Sequence, residues 1–123
     1  MKAFWIDRET NTAKIVETDG KLEQLYDMCH CGCIDITVLS FDGNPLNIVV
    51  DDEGLLVDKP MCSVFDTNGT PLLAGSVVVF GMDDEFGDLA GLKPHEIEAL
   101  MNRNVMAMMT DFSTRNILLA DAR

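Results

Sequence analysis

The sequence predicts an α+β fold: a mostly antiparallel sheet of five or six strands, with two helices packed on one of its faces. Three observations carry this expectation. Ile34, Ile36 and Val38 alternate with Asp35 and Thr37, and Asp42-Gly43-Asn44-Pro45 follows, which reads as a half-buried strand entering a tight turn. Val77-Val78-Val79-Phe80, bounded by Gly75 and Gly81, is the most apolar run and reads as a central strand. Helical spacing relates Leu22, Leu25, Tyr26 and Cys29, and again Ile97, Leu100, Met101, Val105 and Met108; residues three and four apart share one helix face.

Taken in order, residues 2–7 and 13–18 read as two strands around the polar turn Glu9-Thr10-Asn11-Thr12. A helix over 21–30 follows, with Gly32 where a left-handed C-cap is needed. The strand 34–41 is returned by 46–50, and Asp51-Asp52-Glu53-Gly54 closes the hairpin. From Leu55 to Phe65 the pattern is ambiguous, and Lys59-Pro60 opposes a regular element through its middle. Asp66-Thr67-Asn68-Gly69 is a further turn. Pro94 opens a second helix over 94–109, because its fixed φ suits the first helical turn. The tail from Asp111 adds at most a short strand at 116–119.

With 123 residues, the chain reads as a single domain, 1–123. It is 47% apolar and 24% charged, which is globular rather than disordered. No stretch reaches the ~18 apolar residues of a membrane span. MKAFWIDRET turns charged too early for a signal peptide. The cysteines do not form a secreted disulfide pattern, so the expected location is the cytoplasm, with reduced thiols.

Charge is the extreme quantity, at −12. Between Asp35 and Leu92 there are 11 acids against the single base Lys59. A field of this sign repels phosphate backbones and anionic lipid. The expected partner is therefore a basic protein, with neither direct nucleic-acid nor membrane binding.

The helix-to-strand corner Cys31-Gly32-Cys33-Ile34-Asp35, the turn Asp52-Glu53-Gly54, the segment Leu73-Ala74-Gly75-Ser76 running into Val77–Gly81, and the acidic loop before Pro94-His95-Glu96-Ile97 resemble one uncharacterised family, the domain of unknown function numbered 3846. The resemblance covers about residues 14–110. It brings no catalytic residues. It implies a small accessory protein of a phage or mobile element.

Three constellations bear chemistry. Cys29, His30, Cys31 and Cys33 put three thiols and an imidazole within five residues, a donor set suited to Zn²⁺ or Cu⁺. Against this, the Cys-x-Cys-x-Cys spacing is too tight for one tetrahedron, and buried cysteines are common packing residues. The triplets Asp51-Asp52-Glu53 and Asp83-Asp84-Glu85, with Asp88, form the acidic surface expected to hold the partner; neither triplet has EF-hand spacing. Nucleophilic catalysis would need Cys62 or Ser76 to meet His95. No nucleophile elbow, P-loop or Gly-x-Gly-x-x-Gly is present, so no cofactor is expected. Met101 and Met108 are expected in the core, with Met106 and Met109 exposed for a partner or a homodimer.

The leading expectation is thus a non-enzymatic acidic module binding a basic host or defence protein. A thiol-ligated metal or redox protein and a small hydrolase are the alternatives.

Overall fold

The computed structural model describes residues 1–54, 60–83 and 87–122. It is α+β, as expected. In chain order the elements are β1 (Lys2–Asp7), β2 (Thr12–Glu17), α1 (Leu22–Cys29), β3 (Ile34–Phe41), β4 (Asn44–Asp51), β5 (Cys62–Asp66), β6 (Pro71–Ala74), β7 (Val77–Phe80), α2 (Pro94–Arg103), β8 (Asn104–Met108) and β9 (Thr114–Ala120). Five strands form an antiparallel sheet in the order β2-β1-β7-β4-β3, and four form a second sheet in the order β6-β5-β9-β8.

β7 takes the centre of the larger sheet because it has no polar face to offer water. Its four residues are all buried, and β1 and β4 flank it. A strand without alternation needs cover on both sides, and the structure supplies two different covers. Phe4, Ile6, Ile48, Val77 and Val79 pack with Val64 and Leu118 of the second sheet and Leu100 of α2. Ala3, Val49, Val78 and Phe80 pack with Leu25, Met28 and Cys29 of α1. The helices therefore lie on opposite faces of the sheet rather than together on one, and a second sheet shares the work of α2.

Three other expectations change. The second helix stops at Arg103, and residues 104–108 form β8, paired with β9 from Asn104↔Leu118 to Met108↔Thr114. The helical spacing of Val105 and Met108 is coincidental. Met101, Met106 and Met108 are all exposed, so Met101 and Met108 are not core residues; Met109 is half-buried. The left-handed residue after α1 is His30, at φ 54°, and not Gly32. Its backbone N–H donates to the Asp27 carbonyl, and its side chain has carboxylate partners that a glycine would lack.

β9 holds the two sheets together at both ends. Near its start, Asn116 donates its backbone N–H to Asn11 Oδ1 at 2.9 Å and its side-chain amide to the Asn11 carbonyl at 2.7 Å. Past its end, the Asp121 carboxylate accepts N–H bonds from Asp42 at 3.1 Å and Gly43 at 2.8 Å, and pairs with Arg103 at 2.7 Å.

Candidate functional site

The acidic surface is built on the β3–β4 hairpin. Asp51 ends β4 opposite Ile34, and the Asp52 N–H donates to the Cys33 carbonyl. Glu53 donates its N–H to Asp51 Oδ1 at 3.0 Å. Gly54 is required here: a Cβ on it would stand 2.7 Å from the Ala74 carbonyl oxygen. The turn is thereby laid against β6. Asp35, Asp51 and Asp52 line a shallow cavity of about 190 Å³ with Leu73 and Ala74. Beside Asp35, Ile36 is 47% exposed.

Asp83, the described member of the second acidic triplet, stands elsewhere. Asp83 accepts the Asn47 side-chain amide at 2.8 Å, and Asn47 precedes Asp51 by four residues along β4, a separation of about 13 Å. Asp88 is exposed. Asp84 and Glu85 lie outside the described residues.

The arginines do little to neutralise this surface. Arg8 is buried, Arg103 pairs with Asp42 and Asp121, and Arg115 sits 3.7 Å from Asp111. Lys14 lies 5.5 Å over the Trp5 ring. Asp35, Asp52 and Glu53 meanwhile face solvent.

The thiol–imidazole corner disperses. Cys29 points into the core and donates its S–H to the Val49 carbonyl at 3.7 Å. Burial, reinforced by Cys31 and Asp51, pushes its pKa up to about 12. Burial and the Asp51 charge also raise Cys31, and burial raises Cys62. Such thiols stay protonated at neutral pH, whereas the thiolate is the metal ligand and the nucleophile. Among the described residues, no three His, Cys, Asp or Glu side chains form a group that could hold a metal ion.

His30 turns away from the cysteines. Its Nε2 is 2.9 Å from Asp7 Oδ1 and its Nδ1 is 3.4 Å from Glu9 Oε1. Burial raises the Asp7 carboxyl, but His30, the Glu9 N–H and the Thr10 hydroxyl together outweigh it and hold its pKa below the ordinary value. A carboxylate thus stands at each ring nitrogen of His30. Ser76 accepts the Arg8 backbone N–H at 2.9 Å. Cys62 lies in β5, and His95 is exposed in the first turn of α2.

Sequence reasoning passed over Asp7, Arg8 and Glu9 as the polar end of a strand. They line or border a cavity of about 250 Å³ that also reaches Cys29, His30, Asp51 and Met61. The one available signal was three consecutive charges where a strand leaves the core.

A family model for DUF3846, a domain of unknown function, matches residues 1–104. The chain belongs to this family. No curated protein and no solved structure matches it. The DUF3846 match contains the acidic hairpin, the thiol–imidazole corner and Arg8. It ends at Asn104, so the rest of β8, all of β9 and Arg115 lie beyond it.

Proposed function

We propose that this DUF3846 protein is a non-enzymatic binding module whose acidic surface engages a basic protein. It would act in the cytoplasm as a small accessory protein of a phage or mobile element, with a host or defence protein as its target. The observation that supports this reading is the disposition of charge. The described arginines are buried or paired with Asp42, Asp111 and Asp121, while Asp35, Asp52 and Glu53 stand exposed. Carboxylates of this kind steer an oppositely charged partner during encounter.

The proposed surface carries Asp35, Asp51, Asp52 and Glu53; Asp83 and Asp88 are exposed as well, and Asp83 stands apart from it at Asn47. The structure holds no helix long and apolar enough to cross a membrane among the described residues.

The test is capture of partners from a bacterial lysate on the immobilised full chain, washed at low and then high salt. A basic protein released by salt, and lost from the variant carrying Asp52→Lys and Glu53→Lys, is the expected result. Equal capture by the folded double variant overturns the reading. Asp83 is left intact in this variant, because it accepts a bond from the buried Asn47.

A further inference from the structure

The Arg8 guanidinium is a buried cation with neutral partners. The residue is 8% exposed. Its Nη2 donates to the Asn116 carbonyl and, at 3.5 Å, to Asn11 Oδ1. Among the described residues, its Nε and Nη1 have no hydrogen-bond partner, and both are buried. The adjacent Asp7 carboxylate is directed elsewhere, to His30, Thr10 and the Glu9 N–H. Buried charges in proteins are ordinarily paired, because an uncompensated one is among the most costly arrangements in an interior.

A second arginine stands near. Burial, and then the charge of Arg115, depress the ionisation of Arg8, and the Asp7 charge opposes them only in part; the two guanidinium groups repel one another. Between them lies a cavity of about 240 Å³, lined by Arg8, Asn11, Met61, Asp111, Ser113, Thr114 and Arg115. Asp111 stands 3.7 Å from Arg115 and accepts the Ser113 backbone N–H at 3.0 Å and its hydroxyl at 2.5 Å, with its side chain 61% exposed. Met61 and Arg8 line both this cavity and the one beneath His30.

We propose that the cavity between Arg8 and Arg115 receives a small oxyanion, the carboxylate or phosphate group of a small molecule, which supplies the acceptors that Arg8 Nε and Nη1 lack. The two unpartnered N–H positions of Arg8 and the guanidinium of Arg115 bind the charge, in competition with Asp111, which already holds the Ser113 hydroxyl. Met61, unbranched and shared by both cavities, is the side chain that yields to admit the ligand. The net charge of −12 does not forbid this. Screening confines distant charges to a Debye length of about 8 Å at physiological salt, so the contacting donors decide. This site is independent of the acidic hairpin.

The test titrates the full chain, labelled with ¹⁵N in its arginines, with sodium phosphate and separately with sodium acetate. Sodium chloride holds the ionic strength constant. The expected result is a saturable shift of the Arg8 Nε–H resonance and a raised Tm with at least one oxyanion. Phosphate alone acting identifies a phosphate-group receptor, and acetate a carboxylate receptor. Arg8→Met also removes the bond to Asn116 and loses stability, so Arg115 carries the mutational arm. Arg115→Gln should weaken binding at least tenfold, and Arg115→Lys should retain it within a few-fold. No saturable shift with either salt, or unchanged affinity in folded Arg115→Gln, leaves Arg8 as a clasp between the sheets and overturns the proposal.

Discussion

The two sheets are assembled by different rules. In the larger sheet, β1–β2 and β3–β4 are hairpins of neighbouring strands, each paired without interruption over its length. In the smaller sheet, β5 pairs in parallel with β9, joining Val64 to Leu118, and shifts register against β6. The first kind of pairing is encoded by local alternation and turn residues. The second is encoded by nothing nearby, because its partners are far apart in the chain and the loop-closure cost precedes any gain. The larger sheet is accordingly the part readable from sequence, while the burial of Arg8 depends on the Asn116 carbonyl that the smaller sheet brings to it.

Substitutions in the core shared by the sheets should break this division most strongly. Phe4 and Leu118 are fully buried on opposite sides of it. Phe4→Ala should lower unfolding stability by about 3–5 kcal/mol and Leu118→Ala by about 2–5 kcal/mol. Denaturant titration of both variants measures these losses. A loss near zero for Leu118→Ala would show that the second sheet contributes little to the common core.

The clasp at Asp121 should matter less, at about 1–3 kcal/mol for Asp121→Ala. Burial raises this carboxyl, but the Gly43 and Asp42 N–H groups and Arg103 hold its pKa below the ordinary 3.8. Asp7 is lowered in the same direction. A carboxyl lowered by folding stabilises the native state above its unfolded pKa, and that contribution disappears as pH falls through the folded pKa. Stability should therefore decline on acidification below about pH 4. Asp121→Asn should make the decline shallower in an acid-unfolding series followed by circular dichroism.

Thiol accessibility sharpens the comparison at the α1 corner. With iodoacetamide at pH 8, exposed Cys33 should react first and half-buried Cys31 and Cys62 later. Cys29 should react only on unfolding, given its burial and a pKa near 12. Peptide mass spectrometry at timed intervals gives the order. Early alkylation of Cys29 in the folded protein would reopen thiol chemistry at this corner.

The smallest effect is expected on the exposed strand β8. Met108→Ser should change stability by no more than about 0.5 kcal/mol, although helical spacing placed Met108 in the core. A loss comparable with that of Leu118→Ala would mean that Met108 is covered in solution, and sedimentation would then identify a homodimer.

For the candidate sites, legibility follows the same division. The acidic triplet at Asp51-Asp52-Glu53 is visible because turns between strands are both polar and local. The separation of Asp83 from it depends on strand order, which Asn47↔Phe80 pairing sets. Cys29, His30, Cys31 and Cys33 look like a cluster in sequence. The αL turn at His30 and the burial of Cys29 scatter their side chains.

The sequence by itself determined the α+β class, the two hairpins, the central Val77–Phe80 strand and the acidic charge. Each depends on side-chain periodicity, turn conformation or composition, which act over a few residues. Only the tertiary structure decided that the helices take opposite faces, that residues 104–108 pair as a strand, and that Arg8 is buried against Asn116. These depend on which distant segments meet. An arginine written beside a turn looks solvated until β9 closes over it, and what water no longer satisfies must then find its partner in the fold or in a ligand.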